Sequence, residues 1–178
     1  MSVTNKLFEK YHNPVFIETG SCNGDGIQLA LGAGFKTIYS IELAPDKFKL
    51  CVNRFKDNKN VYLVFGDSRI VLKEVLDKIQ EPVTFWLDAH YYEESVCSLP
   101  EEIKAISNHD IKTHTIMIDD LRDLGKYNMG LSIEVLKEKI LLINSDYMFN
   151  FEDGYTVNDI LIAKTKINNI NYPQFEDR

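Results

Sequence analysis

Strand after strand of this chain ends in an acid, and that recurrence constrains the fold more than any other feature of the sequence. Apolar runs rich in β-branched and aromatic residues read as strands at Val15–Ile17, Thr37–Leu43, Val61–Phe65, Val83–Leu87 and Thr113–Ile118. They close on Glu18, Glu42, Asp67, Asp88 and the pair Asp119-Asp120. Helical segments are expected between them. One runs from about Gly26 to Ala33, and one starts at Pro45 with Phe48, Cys51, Val52 and Phe55 as its buried stripe. A third carries Val71, Leu72, Val75, Leu76 and Ile79 and is broken by Pro82. A fourth is introduced by the capping box Ser98-Leu99-Pro100-Glu101 and runs to about Asn108, and a fifth is capped by Ser132 with Ile133, Leu136, Ile140 and Ile143 inward. Tyr147–Phe151 and Asp159–Lys164 read as two final strands with no helix between them. The alternation predicts an α/β fold with helices on both faces of a mostly parallel seven-stranded sheet that has an antiparallel C-terminal strand.

In such a sheet ligands bind beyond the carboxyl ends of the strands. The first strand leads into Glu18-Thr19-Gly20-Ser21-Cys22-Asn23-Gly24-Asp25-Gly26, a loop whose glycines let the backbone approach a ligand closely. The helix that follows offers unpaired N–H groups to a carboxylate or phosphate. An ordinary strand-to-helix turn would account for this loop alone. Acids serving as helix caps would account for Asp67, but they account poorly for the rest of the series.

The chain has 178 residues, 44% hydrophobic and 26% charged, enough for one well-buried core, so residues 1–178 are read as a single domain. Residues 1–13 form a short polar extension with room for one short helix, the loop from Leu121 to Leu131 with Gly125 and Gly130 is expected to move, and the tail from 166 is polar. The net charge of -7 has no Lys/Arg-rich block behind it, which disfavours a nucleic-acid partner bound through phosphates. No run approaches the roughly 20 apolar residues of a membrane span, and the first ten residues lack a signal-peptide core. A soluble, cytoplasmic protein is expected. Cys22, Cys51 and Cys97 have neither disulfide-framework nor zinc spacing and read as reduced thiols.

From Val15 to about Lys164 the chain resembles the class I methyltransferases that use S-adenosylmethionine, which have a Rossmann-like fold ending in a two-strand hairpin. The stretch Glu18 to Gly24 is similar to the first motif of that family. The resemblance implies that Glu18, Gly20, Ser21, Asn23 and Gly24 hold the methionine part of the cofactor. Ile41-Glu42-Leu43 is similar to the second motif, where the acid takes both ribose hydroxyls, and Gly66-Asp67-Ser68 falls where adenine is gripped. A narrower likeness, to catechol-type and macrocin-type O-methyltransferases, lies in Phe85-Trp86-Leu87-Asp88 and Ile116-Met117-Ile118-Asp119-Asp120. It implies that Asp88, Asp119 and Asp120 hold one magnesium ion, with Asp88 also near the cofactor. Carboxylate oxygens suit such a hard cation. A capping or surface role for Asp120 stays open.

The chain departs from that pattern in two places. Catechol-type enzymes carry a lysine base three residues after the metal-binding Asp, and here Tyr91 stands there with His90 beside it. Catalysis is therefore assigned to Asp88 with His90 or Tyr91 as the base, against a core or stacking role for either. Only about 13 residues precede the first strand, where related enzymes carry covering helices. The site is then open, completed by a second copy of the chain, or suited to a large exposed acceptor such as a glycan. The expected activity is magnesium-assisted O-methylation of a hydroxyl on a sugar, glycan or small molecule. One rival is a cofactor-binding scaffold that has lost transfer. The other is a nicotinamide oxidoreductase, disfavoured because Leu29 stands where G-x-G-x-x-G needs its last glycine.

Overall fold

The strands assemble in the order β3-β2-β1-β4-β7-β9-β8. In this computed structural model residues 3–91, 96–124 and 131–166 are described, apart from the side chains of 90, 91 and 96. The expectations for 92–95, 125–130 and the tail beyond 166 lie outside the described residues. The strands are β1 (Val15–Thr19), β2 (Thr37–Glu42), β3 (Val61–Phe65), β4 (Val83–Leu87), β5 (His90–Tyr91), β6 (Val96–Cys97), β7 (Thr115–Ile118), β8 (Tyr147–Glu152) and β9 (Ile160–Thr165). The helices are α1 (Asn5–Lys10), α2 (Asp25–Gly32), α3 (Pro45–Phe55), α4 (Ser68–Leu76), α5 (Leu99–Asn108) and α6 (Ile133–Leu141). The first five strands of the large sheet are parallel, β9 runs antiparallel to β7, and β8 antiparallel to β9. The α/β, Rossmann-like architecture expected from the alternation is the one observed.

Successive residues of each strand serve opposite faces, so the sheet sorts its side chains into two cores. Val15, Ile17, Phe85, Leu87, Ile116 and Ile118 pack under α4, α5 and α6. Phe16, Trp86, Met117 and Ile162 pack under α1, α2 and α3. The central strands β1, β4 and β7 are buried at every position, as a parallel sheet covered on both sides requires.

The segment before β1 is stitched into this framework. Phe8 on α1 is fully buried, with ring centroids 4.9 Å from Phe16 and 5.2 Å from Trp86. Burial of that one ring is worth about 1.5–3 kcal/mol. The Asn13 amide nitrogen lies 3.0 Å from the Val83 carbonyl, 3.1 Å from Thr84 Oγ1 and 3.0 Å from Thr115 Oγ1, tying the chain to the starts of β4 and β7.

Three local expectations are corrected, and one element is new. The Ser98 capping box does not form. Ser98 is buried in a helical conformation, and its hydroxyl donates to the Ala89 carbonyl at 2.9 Å, so tertiary contact takes the group a cap would use. Val52 is exposed, because α3 packs on β2 and the edge strand β3 and buries only Cys51 and Phe55. The third predicted helix ends at Leu76, well before Pro82, and Ile79 is buried from the turn beyond it. The two-residue hairpin of β5 and β6 was not expected.

Candidate active site at the strand ends

The strand order reverses between β1 and β4, and it is there that the two loops carrying the expected site meet. Gly20 follows β1 with φ +86, and a β-carbon on it would lie 2.7 Å from the Asp88 carbonyl oxygen at the end of β4. Only glycine allows both the left-handed backbone and that approach. The loop is held from the β2 side, where the amides of Gly20 and Ser21 both donate to the Ile41 carbonyl at 2.9 and 3.3 Å. Gly24, also left-handed, stands as N-cap of α2, and Cys22 takes φ 47 between them.

Glu18 and Ser21 support this loop from below. Glu18 is 2% exposed, its Oε2 accepts from Ser40 Oγ at 2.5 Å, and Ser40 in turn meets Ser21 Oγ at 2.5 Å. Burial, with the charges of Glu42 and Asp25 added, pushes the Glu18 carboxyl up to about 8 against the Ser40 hydrogen bond. Asn23 is exposed at the loop's outer side, where its side-chain oxygen accepts from Lys47 and its carbonyl from Arg54.

Glu42 closes β2 and faces the loop with both oxygens engaged. Oε2 accepts from the Cys22 amide and Oε1 from the Ala44 amide, each at 2.7 Å. Leu43 beside it and Phe65 at the end of β3 are both half-exposed, and Phe65 meets the Phe48 ring at 5.2 Å. Each leaves apolar surface exposed near the acid. The sequence reading had Leu43 but missed Phe65, whose position opposite Glu42 in the β2–β3 register supplies it.

Asp67 is committed within its own turn. It caps α4 by accepting from the Arg69 amide, and it receives the Arg69 side chain at 3.0 and 2.9 Å from Nε and 2.5 Å from Nη2. Those bonds use two acceptor positions on each oxygen, which matches the capping alternative better than adenine contact. Ser68 is buried at the start of α4.

Asp88, Asp119 and Asp120 do converge: each offers a carboxylate oxygen, and the three atoms lie within 4.8 Å of one another. Burial, then the charges of Asp119, Asp120 and Glu18, push Asp88 up to about 8, opposed by a hydrogen bond from Trp86. Burial also pushes Asp119 up to about 6, against the Asp120 amide that donates to its Oδ1 at 2.8 Å. Asp120 adopts the left-handed conformation, φ 57 and ψ 36, and pairs with Arg122 Nη2 at 2.6 Å. A hard divalent cation fits this donor set, because it supplies the positive charge that crowded, half-buried carboxylates need to stay ionised beyond what Arg122 gives Asp120.

His90 and Tyr91 are placed only through their backbone, which pairs with Cys97 and Val96 two and three residues after Asp88. Their side chains lie outside the described residues. Glu102 was missed. It is fully buried at the first turn of α5, is pushed up to about 7 by burial against nearby hydroxyls of Ser68, Thr19 and Ser98, and neither oxygen has a partner at full hydrogen-bond geometry. Its spacing from Leu99, Ile103 and Ile106 was the available signal, concealed by the expected capping box.

No protein-family model matches the chain. No curated protein matches it either. Solved structures do. The SAH-bound methyltransferase PaMTH1 of Podospora anserina matches with a TM-score of 0.63 at 13% identity, over 91% of this chain and 76% of that one. An O-methyltransferase from Bacillus cereus in complex with SAH matches with a TM-score of 0.61 at 12% identity, over 91% and 78%. An rRNA methylase from Streptococcus thermophilus matches with 0.60 at 12% identity, over 90% and 93%. The fold is that of the Rossmann-like methyltransferases, as the strand-end motifs led one to expect. No helix among the described residues is long and apolar enough to cross a membrane.

Proposed function

We propose that this chain is an S-adenosylmethionine-dependent O-methyltransferase, with a magnesium ion held by Asp88, Asp119 and Asp120. The observation that carries the reading is the contact of the Gly20 loop with Asp88 at the point where strand order reverses, with the acid cluster beside it. In this reading the loop from Gly20 to Gly24 and the N-terminal amides of α2 receive the methionine carboxylate. Glu42 takes the ribose hydroxyls, since an oxygen that accepts one amide keeps a second lone pair. Leu43 and Phe65 pack against the adenine face, and Ser68 lies near its edge. Glu18 and Ser21 act by fixing the loop.

When bound, magnesium would polarise an acceptor hydroxyl and lower its pKa. Asp88 and Asp119 orient that hydroxyl near the loop, and His90 or Tyr91, two and three residues after Asp88, removes its proton. The acceptor class is a hydroxyl on a small molecule or glycan. The fold does not choose it, since an rRNA methylase shares the fold; the net charge of -7 speaks against a polyanion. A second copy of the chain is a candidate for covering the site, and a cytoplasmic location fits the reduced cysteines.

Calorimetric titration with S-adenosylhomocysteine, with and without magnesium, tests the cofactor and the metal separately. Saturable one-to-one binding is expected, followed by transfer of labelled methyl from S-adenosylmethionine to members of a sugar and phenol panel. Absence of cofactor binding overturns the reading. Binding without transfer to any hydroxyl favours a scaffold.

A further inference from the structure

Among the described residues, Arg122 is a cationic side chain in contact with the acid cluster. Its Nη2 meets Asp120 Oδ1 at 2.6 Å, its Nε lies 3.6 Å from Asp123 Oδ2, and its Nη1 donates to Asp159. Its own amide donates to Asp159 Oδ1 at 3.1 Å, and its Cζ lies 5.0 Å from the centroid of the Tyr155 ring. The side chain therefore spans from the end of β7 to the turn between β8 and β9. That turn presses on the cluster too, since a β-carbon on Gly154 would lie 3.2 Å from Asp119 Oδ1. Asp159 is satisfied by the amides of Arg122 and Thr156 as well as by the guanidinium, so the charge of Arg122 is not committed to it alone.

Two consequences follow. Asp120 sits in a left-handed conformation uncommon for a residue with a side chain, and the ion pair with Arg122 fixes which way its carboxylate turns. A fixed positive charge beside the cluster opposes a bound cation in proportion to that cation's charge, so the guanidinium penalises a trivalent ion more than a divalent one.

Resting on the proposed metal site, we propose that Arg122 is a positioning residue for it: the ion pair with Asp120 presents the third carboxylate and sets the charge of the site to suit a divalent rather than a trivalent cation. Magnesium selectivity is then built from a fixed protein charge as well as from oxygen ligands.

The test compares Mn²⁺ and Tb³⁺ binding to the whole chain. Manganese is read by calorimetry, and terbium by luminescence sensitised through Trp86, the one tryptophan, which hydrogen-bonds Asp88. Arg122→Gln removes one charge beside the cations, and at an intermediate dielectric that should raise the Tb³⁺-over-Mn²⁺ preference on the order of tenfold. Arg122→Lys should keep the wild-type preference, and the double variant Asp120→Asn/Arg122→Gln should return to it. Should Arg122→Gln fail to fold by circular dichroism, Asp120→Asn reads the same arithmetic in reverse and should lower the preference for terbium. An unchanged ratio in a folded Arg122→Gln, or in Asp120→Asn where that variant replaces it, overturns this inference while leaving the metal site standing. A wild-type protein that binds neither cation overturns the metal reading and this inference with it.

Discussion

The carboxylate of Glu18 lies over the α-carbon of Gly26, so close that a β-carbon there would stand 1.8 Å from Oε1. The acid near the end of β1 and the glycine in the first turn of α2 thus exclude any side chain between them. Alanine in a helix interior is ordinarily favoured over glycine by about 1 kcal/mol. Here Glu18 is enclosed and bonded to Ser40, so it cannot swing away at little cost, and the overlap outweighs the propensity. Gly26→Ala should lower stability by about 1–3 kcal/mol, the range for overpacking a buried site. Chemical denaturation of Gly26→Ala, Glu18→Ala and the double variant should show the second substitution relieving the first. A Gly26→Ala protein more stable than wild type would mean the contact is not there.

The buried histidine pair at the opposite end of the sheet predicts a pH dependence. Val83 donates its amide to His114 Nδ1 at 3.0 Å, so the neutral His114 carries its proton on Nε2 and donates to His109 Nδ1, also at 3.0 Å. His109 Nε2 then donates to the Ile79 carbonyl at 2.9 Å. Burial, with the neighbouring His109 and Lys112 adding to it, pushes His114 down to about 3. Its unfolded value is near 6.5. Between those values the unfolded chain binds the extra proton, so this contribution is whole above pH 6.5 and is lost as pH falls toward 3. The slope reaches about 1.4 kcal/mol per pH unit. Glu18 works in the opposite sense: raised to about 8, its contribution is present below its unfolded value and fades as pH rises through 8. Comparing wild type with His114→Gln isolates the histidine, and the stability gap between them should narrow from pH 7 to pH 5. A constant gap would remove the pair from the acid response.

The sheet was legible because parallel strands buried on both faces leave continuous apolar runs, and because each such run here stops at an acid. Val83–Leu87 was read with its observed limits for that reason. What stayed hidden was decided by tertiary contact. Ser98 carries the local signature of a cap, yet its hydroxyl is taken by Ala89 across the fold, and the same signature masked the inward turn of Glu102. Asp67 and Asp120 look alike as strand-end acids, and each pairs with an arginine two residues further on; what no periodicity reveals is that Asp120 stands in the acid cluster and shares Arg122 with Asp159, while Asp67 is taken up within its own turn. The convergence of Asp88 with Asp119 and Asp120 was readable from adjacent strand ends, while the engagement of both Glu42 oxygens by loop amides was not.

Those amides sharpen the expectation for Glu42. Glu42→Ala should weaken S-adenosylhomocysteine binding by about 1.5–3 kcal/mol, the range for hydrogen bonds to a charged group. Part of that loss comes through the loop, since the Cys22 and Ala44 amides lose their acceptor. Glu42→Gln keeps one acceptor oxygen and should fall between. The thermal midpoint should change little, because the central strands do not depend on this side chain. Calorimetry giving wild-type affinity for the alanine variant would sink the ribose assignment.

Asp88 and Asp119 are expected to bind the metal at a cost that appears only without it. Like charges at close range repel, and burial of both groups makes their ionised forms harder to hold. Replacing them by asparagine keeps shape and removes that strain, so Asp88→Asn/Asp119→Asn should melt at or above the wild-type temperature in chelator. Magnesium should reverse the order, raising the wild-type midpoint in proportion to the logarithm of its concentration above Kd while leaving the double variant unmoved. Calorimetry with Mn²⁺ should show saturable binding to the wild type alone. A double variant that still responds to magnesium would move the cation away from the strand ends, and a wild type indifferent to chelator in both melting and transfer would leave the proton-abstracting side chain after Asp88 to carry the chemistry unaided.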